Sequence, residues 1–341
     1  MRLKTLCATV MLAVALPVSL PLQAAEACDR TCLEGFVDRY FAAVIANDPA
    51  SLPLAEEVRF TEDGQRLSVG DGLWNTMKGV GRYRLFTTDV PAGQVVFLGT
   101  LFEDHRDPAQ STAALIALRL KVRDQRITEI EQVVVRNEAA AKNVDAMSVR
   151  PDLLATVPAE RRMSRAALIT QANKYFTGMQ QNDGKGDYPF AADCDRIENG
   201  GRATNNPTPA GETRPDPRSA SGYSGQWSCL EQFQSGLIHF VHRIRDRRFV
   251  AVDEERGLVF SFAFFDHPGG ATRTFQTPDG RTVTAGPVQP WTWQIAELFK
   301  VEDGLIHEIE AILQRVPYGL LSGWSTWEQG MSDQLRDVTL E

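Results

Sequence analysis

Several features of common protein classes are absent from this sequence. It has no Gly-rich phosphate loop, nucleophile elbow, HisGluxxHis motif or dinucleotide fingerprint, which argues against nucleotide, flavin and zinc-protease chemistry. Beyond the first residues it also lacks any run of 18 apolar residues, so no membrane helix is expected there. Excess basic charge is absent as well: the formal net charge is -8, and losing the two cations of an N-terminal leader makes it -10. Nucleic acid and anionic membranes are therefore not expected partners.

The first 25 residues have the three regions of a secretory signal peptide. Two basic residues precede an apolar run from Leu6 to Leu16, and small residues follow up to Ala25. That run is too short to span a bilayer. We therefore predict a signal peptide over residues 1–25 and a periplasmic or secreted protein.

Four cysteines remain after export, and an even number in an oxidising compartment favours two disulfides. We prefer the pairs Cys28 with Cys32 and Cys194 with Cys229, and the other two pairings stay open. A zinc site is the alternative, but the spacings do not form paired Cys-x-x-Cys motifs and no histidine lies near Cys28. No metal is expected.

The chain contains a long internal repeat. Residues 117–132 align with residues 296–311 without a gap, and 8 of the 16 positions are identical. Further matches precede them in the same order: Tyr40-Phe41 with Tyr175-Phe176, Glu62-x-Gly64 with Glu198-x-Gly200, and Asp104-His105 with Asp266-His267. A period this long predicts two globular domains rather than a solenoid.

Each copy opens with helical spacing of apolar residues and ends in strands. The pattern predicts helices around residues 36–45 and 168–179, each followed by an Asn-Asp stop. A short strand and a meander closed by a hairpin come next. The fold class is therefore α+β, with two tandem domains in which N-terminal helices pack on a curved antiparallel sheet.

Composition divides the mature chain into segments. We predict a first domain at 28–137, a linker at 138–163, a second domain at 164–324 and a C-terminal tail at 325–341. Two Gly/Pro/Ser/Thr-rich insertions, at about 201–227 and 268–290, lengthen the second copy. Such loops are either binding elements and lids or tolerated surface insertions.

Both copies end in the pattern Lys-Val-x-Asp-x-x-Ile, and in each a helix, an Asn-Asp stop and a strand ending in GluAspGly or GluAsnGly come earlier. This order resembles the nuclear transport factor 2-like superfamily, which includes SnoaL-like polyketide cyclases, ketosteroid isomerase and scytalone dehydratase. The resemblance implies two cone-shaped domains, each with a mostly apolar pocket used for cofactor-free acid-base chemistry or for binding alone. The catalytic sets of ketosteroid isomerase and scytalone dehydratase cannot be placed on this sequence, so neither activity is transferred.

Strand alternation identifies an inward pair of charges in the second copy. Phe60 in the first copy corresponds to Arg196, and Glu62 corresponds to Glu198 on the same face. Because Phe60 implies a buried face, Arg196 and Glu198 are predicted to point inward and to pair. The pair is either a substrate clamp, an acid-base pair or a structural ion pair.

Two histidines and an aspartate are further candidates. Asp266-His267 at a strand end is either an oriented imidazole or a turn capped by the aspartate. His242 is expected on a helix running from Leu230 to Ile244, near the edge of its apolar stripe. The basic run beginning at Arg243 is either an anion site or a salt-bridged turn.

The strand that holds the repeat carries one acid in an apolar context. Glu297 stands where the first copy has Leu118. Trp293 and Phe264 lie nearby in the meander, and they form either a wall for an aromatic substrate or an aromatic core.

These features favour an exported, cofactor-independent lyase, isomerase or hydrolase that transfers protons on a small, largely apolar or aromatic molecule. Its pocket is expected in the second domain, with Glu198 or Asp266 as base, His267 or His242 as acid and Arg196 as oxyanion clamp. Arg243, Phe264, Trp293 and Glu297 are predicted to contact the substrate. The alternatives are a periplasmic binding protein that uses the same pocket without chemistry, and a structural module, for which a homodimer is considered.

Overall fold

The computed structural model describes residues 28–339, so the predicted signal peptide lies outside the described residues. The chain is α+β, with two large curved sheets and few helices, which confirms the predicted fold class at this level. None of the described helices is long and apolar enough to cross a membrane. The structure joins Cys28 to Cys32 and Cys194 to Cys229, the preferred pairing, and this is consistent with export.

The first half consists of one α-helix, two short 3-10 helices and a six-stranded sheet. Its elements are α1 (Arg30–Ala46), β1 (Leu54–Glu62), β2 (Gln65–Arg66), β3 (Met77–Asp89), β4 (Gln94–Asp104), β5 (Ser111–Arg123) and β6 (Arg126–Val135). The Asp29 side chain caps α1 by accepting from the Cys32 N–H, and Asn47 ends the helix in a left-handed conformation. The sheet order is β2-β1-β6-β5-β4-β3.

The segment predicted as a linker, 138–163, contains α2 (Glu138–Ala146) and α3 (Pro151–Leu154). Ala141 and Val144 of α2 are buried, as is Leu153 of α3. This connection therefore packs on the sheets instead of running through solvent.

The second half repeats the arrangement of the first and adds elements to it. The elements are α4 (Arg165–Met179), β7 (Phe190–Glu198), β8 (Gly201–Arg202), α5 (Cys229–Gln234), β9 (Arg243–Asp253), β10 (Leu258–His267), β11 (Thr274–Gln276), β12 (Thr282–Thr284), β13 (Trp291–Glu302), β14 (Leu305–Val316), α6 (Trp327–Met331) and β15 (Leu335–Asp337). Strands β8-β7-β14-β13-β10-β9 have the order of the first sheet. The residues predicted as a tail supply α6 and β15, and β15 pairs with the edge strand β9.

Both sheets differ from the prediction in being mixed. β1 runs parallel to β6, β7 runs parallel to β14, and β15 runs parallel to β9, while the meanders are antiparallel. Asp63-Gly64 and Asn199-Gly200 form two-residue turns with positive φ at both positions, so β1 and β7 each turn back into a short antiparallel partner, β2 or β8, at the sheet edge.

The helix predicted from Leu230 to Ile244 is wrong beyond its first turns. α5 ends at Gln234, and Gly236 follows with φ of 68°. A Cβ at Gly236 would lie 2.6 Å from the Pro278 ring, so glycine suits this turn. The residues from Arg243 onward form β9, whose side chains are buried on both faces, and Ile244, the last residue of the predicted helix, is the second residue of this strand.

The two sheets pack against each other through one apolar interface. Leu98, Leu115 and Val133 of the first half meet residues such as Phe260 and Leu298 of the second. The opposite face of each sheet packs against its own helix, α1 or α4. Residues of one strand therefore alternate between the interface and the space beneath the helix, and this alternation decides which side chains reach a pocket.

Candidate functional site

A pocket lies in the second half, between α4 and the sheet face that α4 covers. Its volume is about 70 Å³. Most of the lining is apolar or aromatic, including Met179, Phe265 and Trp293. Four polar side chains from three different strands interrupt this lining: Arg196, Glu198, His267 and Glu297. We refer to this space as the Glu297 pocket.

Arg196 reaches the pocket from β7 and is held on two sides. Its Nη1 donates to Gln232 Oε1 at 2.6 Å, and its Nη2 donates to Glu198 Oε1. The guanidinium carbon lies 5.5 Å from the centre of the Tyr175 ring. Arg196 is 5% exposed, so the predicted inward orientation is confirmed, and its contact with Glu198 is an ion pair at the pocket wall.

Glu297 lies on β13 with its carboxyl in the pocket and is 2% exposed. Burial raises the pKa of Glu297 to about 8, the Arg196 guanidinium opposes this rise, and the Glu198 carboxylate adds to it. The carboxyl is therefore largely protonated at pH 7. A protonated carboxyl in an enclosed site can donate a proton to a bound molecule.

His267 ends β10 and enters the same pocket. Its ring stacks on Trp291 with the ring centres 4.2 Å apart. Burial lowers the pKa of His267 to about 4, so the imidazole is neutral at pH 7. It can accept or donate a hydrogen bond without adding a charge.

Three buried polar atoms around this pocket have no hydrogen-bond partner among the described residues: Arg196 Nε, Glu297 Oε2 and His267 Nδ1. Buried polar atoms are nearly always paired in folded proteins, and exceptions gather where a ligand or water binds. A donor, a carboxyl oxygen and a ring nitrogen are thus available to one bound molecule.

The corresponding space of the first half is filled by its own side chains. Tyr40 donates its hydroxyl to Gln132 Oε1 at 2.8 Å, and Gln132 Nε2 donates to Glu62 Oε2 at 2.9 Å. Gln132 pairs with Glu62 in the sheet register as Ala311 pairs with Glu198. Ala311 also pairs with Glu297, so the second half has a methyl group between two residues of the pocket lining where the first half has a bridging amide.

Strand alternation separates the predicted site residues into two groups. Arg196, Glu198, His267, Trp293 and Glu297 line the Glu297 pocket. Asp266, Arg243, Phe264 and His242 do not. Adjacent residues of a strand face opposite sides of the sheet. Asp266, Arg243 and Phe264 therefore lie on the side of β9 and β10 that faces the other sheet, away from the pocket. His242 is exposed just before β9, with its Nδ1 3.1 Å from Gln181 Nε2.

Asp266 has a structural set of partners. Its Oδ2 accepts from Arg243 and Arg245, and its Oδ1 accepts from the Thr292 hydroxyl at 2.7 Å. Burial favours the neutral acid, but the hydrogen bond and charge of Arg245 outweigh it and lower the pKa of Asp266. Because Asp266 lies outside the Glu297 pocket, it cannot act as the predicted base there.

Sequence reasoning did not identify Tyr175, Gln232, Tyr223 or Phe240 as site residues. Tyr175 was visible as the repeat of Tyr40, and the exchange of Gln132 for Ala311 stood in the same alignment. Tyr223 comes from the first insertion, is 49% exposed and lines the pocket, with its ring centre 6.3 Å from that of Phe240. No local signal in the sequence connects that loop to the pocket.

The two insertions support each other beside the Glu297 pocket. Trp227, Leu237, Phe275 and Val283 form a small separate core. The strands β11 and β12 form a hairpin within the second insertion. Tyr223, which lines the pocket, is thus carried by a loop that packs on this small core.

No group of three or more metal-binding side chains gathers within residues 28–339. Residues 161–313 match a domain of unknown function, DUF8021, and this range contains every residue that lines the Glu297 pocket. No curated protein matches the chain. Among solved structures the chain is similar to AclR, a proposed hydroxylase from Streptomyces galilaeus, with 12% identity over 37% of this chain and 93% of that one. The TM-score is 0.27, so this similarity carries no argument.

Proposed function

We propose that this chain is an exported, cofactor-independent enzyme that transfers protons on a small, largely apolar or aromatic molecule in the Glu297 pocket. In this proposal the two halves are tandem cone-shaped domains of the nuclear transport factor 2-like kind, and only the second is active. The reaction class is that of a lyase, isomerase or hydrolase. The fold class, the repeat of sheet order and the placement of charged groups in an apolar pocket support it.

The observation that carries the proposal is the pair of unlike carboxyl groups beside one guanidinium. Glu297 is buried and has a pKa of about 8, while Glu198 lies at the wall, 35% exposed, and bonds Arg196. Two carboxyl groups in different environments can serve as acid and base in one reaction. We assign Glu297 as the acid and Glu198 as the base.

Arg196 stabilises negative charge on the reacting molecule. Its Nε is buried without a partner and belongs to a guanidinium already fixed by Gln232 and Glu198. A fixed donor of this kind favours an oxyanion that develops during the reaction, because no reorganisation is needed. The neutral His267 supplies a further hydrogen bond.

The volume limits the substrate. An apolar cavity of about 150 Å³ holds benzene, whereas this pocket measures about 70 Å³. A molecule of a few non-hydrogen atoms fits the pocket as it stands. An aromatic ring requires Tyr223 and Phe240 at the mouth to move apart.

Solvent deuterium exchange tests the proposal without knowing the product. Small carbonyl compounds and carboxylates are incubated with the protein in D₂O, and loss of C–H signals is followed by proton NMR. We expect catalysed exchange on at least one compound. Ala311→Gln should reduce the exchange at least about 10-fold, because the longer side chain occupies the space that Gln132 fills in the first half.

Ala311→Ser is the matched control, since it adds a polar group without filling the pocket, and it should retain exchange. Binding of a compound with neither exchange nor conversion to a product in the same spectra would contradict the proposed chemistry and favour the binding-protein alternative. Equal exchange by wild type and Ala311→Gln would place the reaction elsewhere.

A further inference from the structure

Arg315 lies on β14 at the rim of the Glu297 pocket. Leu313, two residues earlier on the same face of the strand, lines the pocket, and so does Trp293, the cross-strand partner of Arg315. The guanidinium carbon of Arg315 lies 5.1 Å from the centre of the Trp291 ring. The side chain is exposed, and no carboxylate of the described residues forms an ion pair with it. The rim therefore presents a cation to solvent and to the pocket mouth.

The repeat contains a second arginine at the same position, and that one is structural. Extending the aligned segments by four residues matches Arg136 of the first half with Arg315. The guanidinium nitrogens of Arg136 lie 3.3, 3.7 and 2.9 Å from carboxylate oxygens of Glu62, Asp63 and Glu103. Three acids of its own half thus surround the arginine of the first half.

The first two of these acids have no equivalent role in the second half. The counterpart of Glu62 is Glu198, which pairs with Arg196 instead. The counterpart of Asp63 is the amide of Asn199, whose side chain bonds the backbone of Leu313. Neither group therefore neutralises the rim arginine by a direct contact.

The third acid is replaced by a histidine. Glu103 pairs with Thr112 in the sheet, and His267 pairs with Trp291, the residue that the repeat aligns with Thr112. In sheet register His267 is thus the counterpart of Glu103, and an imidazole carries no negative charge at neutral pH. The second half has kept the arginine while its acidic partners were replaced or paired elsewhere, which leaves the guanidinium available to an acid from solution.

Aromatic rings connect the interior of the pocket with this guanidinium. Trp291 stacks on His267 with ring centres 4.2 Å apart and meets Trp293 edge to face at 4.5 Å. His267 and Trp293 both line the pocket, and the buried Nδ1 of His267 has no hydrogen-bond partner among the described residues. An apolar chain that leaves the pocket across these rings arrives at Arg315.

We propose that the substrate of the Glu297 pocket is an organic acid whose carboxylate binds Arg315 at the rim while its apolar part lies in the pocket. This assignment of a substrate class rests on the proposed function for the location of the site. A guanidinium offers two parallel N–H donors that match a carboxylate. A single cation without a paired acid favours a monoanion over a phosphate dianion.

The sheet geometry also limits the length of the acid. Four residues of β13 separate Glu297 from Trp293, the partner of Arg315, which corresponds to about 13 Å along the strand. The carboxylate that binds at the rim is therefore not the group on which protons are transferred. Acids with several carbons between the two ends should bind better than very short ones.

Ligand-observed NMR titrations test this site with butanoate, hexanoate and octanoate, each compared with its primary amide. Ionic strength is kept constant with chloride, because salt screens exposed charges. We expect at least one acid to bind wild type with a Kd at least about 5-fold lower than that of its amide. No turnover is needed, so the result does not depend on whether exchange is catalysed.

Arg315→Gln should weaken binding of that acid at least about 5-fold and leave binding of its amide within about 2-fold, because only the charged contact is lost. The variant should fold, since the side chain it changes is exposed. Arg218→Gln is the matched control: Arg218 is exposed in the first insertion, outside the Glu297 pocket. It removes the same charge and should change affinity less than about 2-fold.

The titrations overturn the proposal if no acid binds, if wild type binds acids and amides equally, or if Arg218→Gln weakens binding as much as Arg315→Gln does. Catalysed exchange on an uncharged compound would leave the proposed function standing in each of these cases. Conversely, acid binding that depends on Arg315, without exchange or conversion, would refute the catalysis and retain the rim site.

Discussion

Glu297→Gln should lower kcat by about 100-fold to 10,000-fold on any substrate found in the exchange screen, the range in which a positioned acid or base contributes. The amide has nearly the shape of the protonated carboxyl but cannot donate the proton to the reacting group. The chain should still fold, because the first half has the neutral Leu118 at this position.

The rate of the same reaction should fall at high pH. With a pKa of about 8, the acid is protonated below that pH and loses its proton above it. The wild-type rate should therefore fall about 10-fold for each pH unit above 8, and the residual rate of Glu297→Gln should lack this inflection.

Glu302→Gln is the control for this experiment. Glu302 ends the same strand, outside the Glu297 pocket, where it pairs with Arg161 at the surface. Its replacement should leave kcat within about 2-fold. Loss of rate in Glu302→Gln, or a Glu297→Gln variant with unchanged kcat, would refute the assigned role.

The second large effect is on stability. A carboxyl with an ordinary pKa of 4.5 in the unfolded chain and about 8 in the folded chain binds its proton more tightly when folded. It stabilises the protein fully below about pH 4.5, and this stabilisation is lost as the pH rises to about 8. At about 1.4 kcal/mol for each pKa unit, the change is on the order of 3 to 5 kcal/mol.

Urea unfolding of wild type and Glu297→Gln between pH 5 and pH 8.5 measures this effect. The glutamine at position 297 does not titrate in this range. The free energy of unfolding of the variant minus that of wild type should therefore grow steadily with pH and level off above about pH 8. The stability of the variant must be compared with that of wild type at each pH, because burial also raises the pKa of Glu308 to about 8 and this carboxyl titrates in both proteins. A constant difference across the range would mean that Glu297 titrates normally.

The sequence predicted those parts of the site that depend on local alternation and on the repeat. Arg196 could be placed inward because Phe60 marks the same position as buried, and both are buried in the structure. Glu297 stood out because an acid replaces Leu118. These inferences needed only strand periodicity and one alignment.

The parts that sequence reasoning missed depend on contacts distant in the chain. Asp266 seemed to be a base, but Arg245 and Thr292 hold it on the interface side, and their pairing is set by the register of β9, β10 and β13. Tyr223 reaches the pocket only because the two insertions pack together. The helix predicted from Leu230 to Ile244 ends at Gln234, because the chain turns at Gly236 against Pro278 of the second insertion.

The proposed function requires that Glu297, inside its pocket, is protonated at neutral pH. Carbon-13 NMR of protein labelled at the glutamate side-chain carboxyl tests it directly, with Glu297→Gln used to assign the signal. We predict that the signal missing from the variant titrates near pH 8 in wild type. Titration of that signal near 4.5, the ordinary glutamate value, would contradict the account.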